Sequence, residues 1–249
     1  MRMKSFLLSL STIAALGAGA AHASTNLVAN GSFDSTTNGT NKQLASSVTT
    51  ASNRTTATDW TSSNGNDGGY NFILASKIAT TWDSALWLNG NANGFTASPD
   101  GGNFLASDQL YYPGTISQSI SGLTVGDKYT LTFDYALAQQ VGFNGANPDN
   151  YWQVGFGSTV KDTSLLSISS GGFSGWKTAS MTFTAASTTE LLSFLAKGTP
   201  TGAPPFLLLD GVSMVAAVPE PATWAMLLGG VGLIGFMARR RKAAAATPA

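Results

Sequence analysis

The sequence predicts an all-β protein: an antiparallel β-sandwich of the jelly-roll kind, flanked by an N-terminal signal peptide and one C-terminal transmembrane helix. Three observations predict the sandwich. Stretches of the middle alternate apolar and polar residues with period two, Gly- and Asn-rich turns separate them, and no amphipathic helical period of useful length runs between Ser24 and Ala217. Many strands without interleaved helices favour a sandwich over a parallel α/β sheet.

From the N-terminus, residues 1–23 read as an export signal. Arg2 and Lys4 form a positive start, Phe6 to about Ala18 an apolar stretch, and Ala21-His22-Ala23 the small-x-small site that a signal peptidase cuts. The apolar stretch is shorter than the roughly 20 residues a membrane span needs. The β-sandwich is therefore expected over residues 24–217. Within it, Ser35 to Thr61 is rich in Ser, Thr and Asn and reads as a long surface loop or insertion.

Strand signals follow. Ile116, Gln118 and Ile120 share one face; Tyr129, Leu131, Phe133, Tyr135 and Leu137 oppose Thr130, Thr132 and Asp134; Trp152, Val154 and Phe156 repeat the pattern, as do Met181 and Phe183. Leu191 to Ala196 and Phe206 to Val215 complete the set. The run Leu207-Leu208-Leu209 is nearly continuous, which predicts a central strand covered on both faces. Turn signals lie at Asn30-Gly31, Asp100-Gly101-Gly102, Val125-Gly126-Asp127, Gly171-Gly172 and Gly198 to Pro205. The absence of any repeat of 20 to 50 residues excludes solenoids and propellers.

Composition narrows the chemistry. The chain has no Cys and one His, His22, which the signal would carry away. Disulfides, thiol nucleophiles, His-ligated metals and imidazole bases are thereby excluded from the middle. Residues 24–217 hold 7 basic and 12 acidic side chains, a net charge of −5, so the basic stripe that nucleic acid requires is missing.

At the C-terminal end, Ala222 to Met237 is an uncharged apolar run, roughly 24 Å long at the helical rise, stopped by Arg239-Arg240-Arg241-Lys242. The positive-inside rule keeps that cluster in the cytoplasm and the rest of the chain outside. Pro219-Glu220-Pro221, the apolar helix and the Arg-rich stop, in that order over residues 218–242, resemble the PEP-CTERM sorting tail of Gram-negative bacteria. The resemblance implies recognition of Pro219, Glu220 and Pro221 by an exosortase, with Arg239, Arg240 and Arg241 as the stop. It also implies transient anchoring in the inner membrane before release to the cell surface or extracellular matrix. Residues 243–249 read as a short disordered tail.

A second resemblance joins the ends of the domain. Asn26-Leu27-Val28-Ala29-Asn30-Gly31-Ser32-Phe33-Asp34 and Leu209-Asp210-Gly211-Val212-Ser213-Met214 are similar to the opening and closing strands of galactose-binding-like jelly rolls, the fold of many carbohydrate-binding modules. That family implies first and last strands side by side, often sharing a structural calcium. Asp34 and Asp210 can supply carboxylate oxygens to such an ion, with carbonyls completing its shell. The competing reading has Asp34 capping a turn and Asp210 exposed beside Gly211.

Sugar binding needs no ionisable group, because a pyranose stacks its apolar face on an aromatic ring. Trp82, Trp87, Tyr111 and Tyr112 lie in Gly/Asn-rich, poorly alternating stretches, and Asn89, Asn91, Asn93, Asp108 and Gln109 stand near them as hydrogen-bonding partners. Trp60, Trp152 and Trp176 flank strands and read as core. Carboxylate catalysis has little to draw on: Glu190 is the sole Glu of the middle, and most Asp residues occupy turns. The expectation is an exported, non-enzymatic surface or matrix protein that binds or embeds in exopolysaccharide. A purely structural matrix component is the alternative, and a glycan-active enzyme comes third.

Overall fold

Period-two patterning closes into two stacked sheets in the computed structural model, which describes residues 25–65, 67–76, 86–90, 93–199, 204–217, 230 and 232–234. The expected signal peptide, Trp82, Pro219-Glu220-Pro221 and Arg239 to Arg241 lie outside the described residues, as does most of the expected transmembrane helix. Among the described residues no helix is long and apolar enough to cross a membrane.

One sheet has seven strands. They are β1 (Lys42–Leu44), β2 (Arg54–Thr55), β4 (Asn71–Ala75), β5 (Asn103–Asp108), β7 (Lys128–Gln139), β11 (Lys177–Thr184) and β13 (Pro205–Ala216), in the order β11-β7-β13-β5-β4-β1-β2. The other contains β3 (Thr61–Ser63), β6 (Thr115–Ser121), β8 (Asn147–Phe156), β10 (Leu166–Ile168) and β12 (Thr189–Lys197), ordered β10-β8-β12-β6-β3, with β9 (Thr159–Asp162) pairing β8. Every pairing is antiparallel except β1 with β2. Each strand read from period-two patterning is present.

The stretch Ser35 to Thr61, read as a surface loop or insertion, is irregular over most of its length but holds two short strands. It forms β1 and β2 and widens the seven-stranded sheet, because its side chains do the work that missing apolar residues would. Asn38 donates to the carbonyls of Ala51 and Arg54 at 3.0 Å each, Thr37 and Thr56 pair their hydroxyls at 2.9 Å, and Leu44, Ala57 and Trp60 are buried beneath. Amide and hydroxyl side chains here satisfy backbone groups directly, which period-two hydrophobicity does not register.

Residues 26–31 run beside β13 without forming a regular strand. The Leu27 N–H donates to Met214 O at 2.8 Å, Val212 N–H to Gly31 O at 3.0 Å, and Met214 N–H to Asn26 Oδ1 at 2.9 Å. First and last segments thus lie side by side, as the galactose-binding-like resemblance implies.

Between the sheets sits the main core, in which Trp152 is fully buried and donates its indole N–H to Leu208 O at 3.0 Å, while Phe194 meets Phe133 edge-on at 5.2 Å. β13 contributes Leu207, Leu209, Val212 and Met214 to this face and turns Phe206 and Leu208 the other way, into a second cluster with Leu74, Leu86, Phe95 and Phe104. The seven-stranded sheet is therefore covered on both faces at its centre, as Leu207-Leu208-Leu209 predicts. Trp60 joins the main core, whereas Trp176 packs only at the margin of the second cluster and gives its N–H to Thr96 O.

Candidate functional site

Four neighbouring strands of the seven-stranded sheet finish at one end: β7 after Gln139, β13 before Pro205, β5 after Asp108 and β4 before Asn71. Alternation places Phe72, Phe206 and Asp108 on the sheet's outer face there, since they share parity with Leu74, Leu208 and Ala106 of the second cluster. A cleft of about 190 Å³ opens at this spot, walled by Tyr70, Phe72, Tyr111, Phe143, Phe206 and Asp108. Exposed large aromatics are unusual on a soluble surface, yet Tyr111 is 58%, Tyr70 41% and Phe143 41% accessible.

Local bonding holds these rings in place. The Tyr70 N–H donates to Tyr112 O at 2.7 Å, and Tyr70 O accepts the Asp108 N–H at 3.0 Å. The Tyr70 ring meets Tyr112 edge-on at 5.6 Å, and Phe72 meets Phe206 at 5.8 Å. Asp108 is buried, and its Oδ1 accepts the N–H groups of Leu110 at 2.6 Å and Tyr111 at 3.2 Å, folding the loop that presents Tyr111. Burial pushes the Asp108 carboxyl above its usual range, with the two amides pulling the other way. An apolar wall of rings with the Gln140 amide at its edge is chemistry that can receive a polyhydroxylated ring.

Of the residues singled out from the sequence, Tyr111, Tyr112 and Asp108 converge here. Trp87 is half-buried beside the cleft and not in its wall, its carbonyl accepting the Val141 N–H at 2.8 Å. Trp82 and Asn91 lie outside the described residues. Asn93 is spent on the backbone, donating to Leu88 O and Gly171 O, and Gln109 is buried against Asn150. The sequence reading missed Tyr70, Phe143 and Gln140. Phe143 carried the same signal that marked the tyrosines, an aromatic inside a Gly142-Phe143-Asn144-Gly145 turn; Tyr70 follows Gly68-Gly69 and was detectable in the same way.

At the opposite end of the outer face stands Asp210, next to the β13 bulge where Gly211 takes φ +57°. It is fully buried, which corrects the reading of an exposed residue: the strand turns it toward the covered side of the sheet with Phe206 and Leu208. Its Oδ2 accepts the Ser98 hydroxyl, whereas its buried Oδ1 has no hydrogen-bond partner among the described residues. Burial first, then the nearby Asp100 and Asp34 carboxylates, push its pKa up to about 8 against the opposing Ser98 and Gly211 bonds. Asp34 is exposed, and its Oδ1 accepts the N–H of Asn103, the first residue of β5, at 2.8 Å. Among the described residues no three carboxyl, imidazole or thiol groups gather closely enough to hold a metal, so carbonyl oxygens would have to complete the shell.

Glu190 is committed elsewhere. Its Oε1 accepts the N–H groups of Ala186 at 2.8 Å and Ser187 at 2.9 Å, closing the turn between β11 and β12.

A model of the PEP-CTERM protein-sorting motif matches residues 217–242, so the chain carries the sorting motif that marks an exported protein. No curated protein matches the chain in sequence. In shape it is similar to TmCBM61 in complex with β-1,4-galactotriose, at 9% identity and a TM-score of 0.45, over 78% of this chain and 100% of that one. It is also similar to the CBM22-1–GH10 modules of Clostridium thermocellum xylanase 10B complexed with xylohexaose, at 10% identity and a TM-score of 0.38, over 65% of this chain and 27% of that one. A third likeness is to the N-terminal cellulose-binding domain of Cellulomonas fimi β-1,4-glucanase C, at 18% identity and a TM-score of 0.31, over 50% and 82% respectively.

Proposed function

We propose that residues 24–217 form a non-catalytic glycan-binding module whose site is the aromatic cleft at the shared end of β4, β5, β7 and β13. The observation that carries this reading is the convergence of exposed Tyr70, Tyr111 and Phe143 around the carboxyl of Asp108. Stacking supplies affinity and the polar rim supplies orientation. Glycoside hydrolysis uses two carboxyl groups roughly 5 to 9.5 Å apart, and among the described residues the cleft wall contains one, already engaged with backbone amides.

Delivery completes the proposal. Residues 1–23 act as the signal peptide, and residues 218–242 as the sorting tail read by an exosortase through Pro219, Glu220 and Pro221. The apolar helix holds the inner membrane until processing, Arg239 to Arg241 stop transfer, and residues 243–249 follow as a tail. The module then sits at the cell surface or in the matrix, in contact with exopolysaccharide. Calcium, where present, binds at Asp210 Oδ1 with Asp34 and carbonyl oxygens and ties the closing strand to the opening segment.

The test is retention of the purified full-length protein on a panel of insoluble polysaccharides, including the exopolysaccharide of its own cells. Retention of the parent and its loss in a Tyr70→Ala, Tyr111→Ala, Phe143→Ala triple variant with unchanged melting is the expected result. No retention of a folded protein on any polymer would favour a purely structural matrix role. Release of soluble sugar would favour an enzyme.

A further inference from the structure

Beside the aromatic cleft lies a second depression of about 230 Å³, and the two share Gln140 and Phe143 as a common wall. Its character differs. Where the first is lined mainly by rings, the second is lined by Gln139, Asn144, Ser170 and the backbone of Gly142 and Gly171. Gln139 is 1% accessible, and its Oε1 accepts the Gly171 N–H at 2.5 Å, which fixes the orientation of the amide. Its Nε2 is therefore a buried donor with no acceptor among the described residues. A buried N–H left unpaired is costly, and this one belongs to a side chain that lines an open depression.

Among the described residues no lysine or arginine lines either depression, and the one carboxyl among them, Asp108, already accepts two backbone amides. A uronate would meet no cation there and would enter a domain that is itself acidic. An ammonium-bearing sugar would gain only a carboxyl that backbone N–H groups already occupy.

Resting on the glycan-binding reading above, we propose that the two depressions are consecutive subsites for two adjacent units of an uncharged glycan chain. Phe143 is the partition between them. The first unit stacks among Tyr70, Tyr111 and Phe143, and the second gives a hydroxyl or ring oxygen to the Gln139 N–H and exchanges hydrogen bonds with Asn144. The site reads a chain segment, not a free monosaccharide.

Calorimetric titration of the full-length protein with glucose, galactose, and the β-1,4-linked di- and tetrasaccharides of each tests this, with polygalacturonate and chitosan oligomers as the charged probes. For at least one neutral series, affinity should rise about tenfold from mono- to disaccharide and no more than about twofold thereafter. Both charged probes should bind at least tenfold more weakly. Gln139→Glu keeps the acceptor for Gly171 and removes the donor, and Asn144→Ala is an exposed change that spares the core. Each should shrink the disaccharide-to-monosaccharide ratio toward one. Unaltered ratios in both variants, or equal binding of a charged oligomer, would overturn the two-subsite assignment while leaving the aromatic cleft standing. Binding of none of the neutral probes would overturn the cleft and the subsites together.

Discussion

Two buried aspartates occupy opposite ends of one sheet face, and they are handled differently. Asp108, at the end of β5, has two backbone N–H groups on Oδ1 and lies under a loop whose tip it shapes. Asp210, in β13, has a hydroxyl on Oδ2, an orphaned Oδ1, and two further carboxylates raising its pKa. Both sit on strands where alternation turns them toward apolar side chains, so desolvation penalises each charge. The first is balanced largely by local backbone donors and the second is not. A buried carboxyl that builds a loop and one that lacks a counter-ion can have the same sequence context, and only the partners distinguish them.

The strongest way to break this comparison is pH. The folded-state pKa of Asp210 is raised from 3.8 to about 8, so the folded chain holds a proton that the unfolded chain has released between those values. Stability is fully present below the unfolded pKa and is lost as pH rises through the folded one. In EDTA, chemical denaturation between pH 4 and pH 8 should therefore show a fall on the order of 5 kcal/mol, and thermal melts a drop of roughly 10 °C or more. Millimolar calcium should restore most of it, because a bound cation favours the ionised form. A flat profile in EDTA would show that the carboxylate already has a partner.

Asp210→Asn sharpens the same point with a smaller effect. The amide keeps the side-chain volume and an acceptor for Ser98 but carries no charge. In EDTA at pH 8 it should be more stable than the parent by roughly 2 to 3 kcal/mol, with most of the pH slope gone. In calcium the order should reverse or vanish. An Asn variant that melts lower in EDTA at pH 8 would contradict the desolvation account.

How much of this was legible in the sequence follows from what each signal measures. Period two measures one-sided burial, so β6, β7, β8, β11, β12 and β13 were read directly from residues such as Tyr129 to Leu137. β4 and β5 carry only short apolar runs, Phe72-Ile73-Leu74 and Phe104-Leu105-Ala106, because both faces of this sheet are covered, and a fully buried short strand has no alternation to detect. β1 and β2 stand on Asn38 and paired threonines, interactions between residues far apart in the chain. At the site, Tyr111 and Tyr112 were visible as aromatics in a turn-rich stretch. Their convergence with Tyr70 and Phe143 was not, since it depends on four strands ending together. The orphaned atoms of Gln139 and Asp210 are properties of surroundings, which composition cannot report.

At the cleft end, Tyr111→Ala should lower glycan affinity about tenfold, which is roughly 1.4 kcal/mol, while shifting the melting midpoint by less than about 1 °C. The side chain is mostly exposed, so it contributes little to folding. Affinity by titration and melting by calorimetry read the two quantities separately. A large stability loss with unchanged affinity would place Tyr111 in packing instead of recognition.

The smallest effect separates the two aspartates most cleanly. Asp108→Asn keeps an oxygen for the Leu110 and Tyr111 N–H groups and removes a charge that burial disfavours, so loss of charge-assisted bonding and relief of desolvation oppose each other. The net change in stability at pH 7 should be within about 1 kcal/mol, and glycan affinity should stay within about threefold. Because the parent's folded pKa is also raised, the parent should lose slightly more stability than the variant as pH rises above the ordinary carboxylate range. Asp108→Ala removes the acceptor altogether, leaves two N–H groups to find water, and releases the Tyr111 loop; it should cost about 1 to 2 kcal/mol and weaken glycan binding with it. Equal damage from Asn and Ala would mean that the negative charge itself contacts the ligand. Asp108 would then belong with the sugar-binding groups and not with the residues that shape the loop.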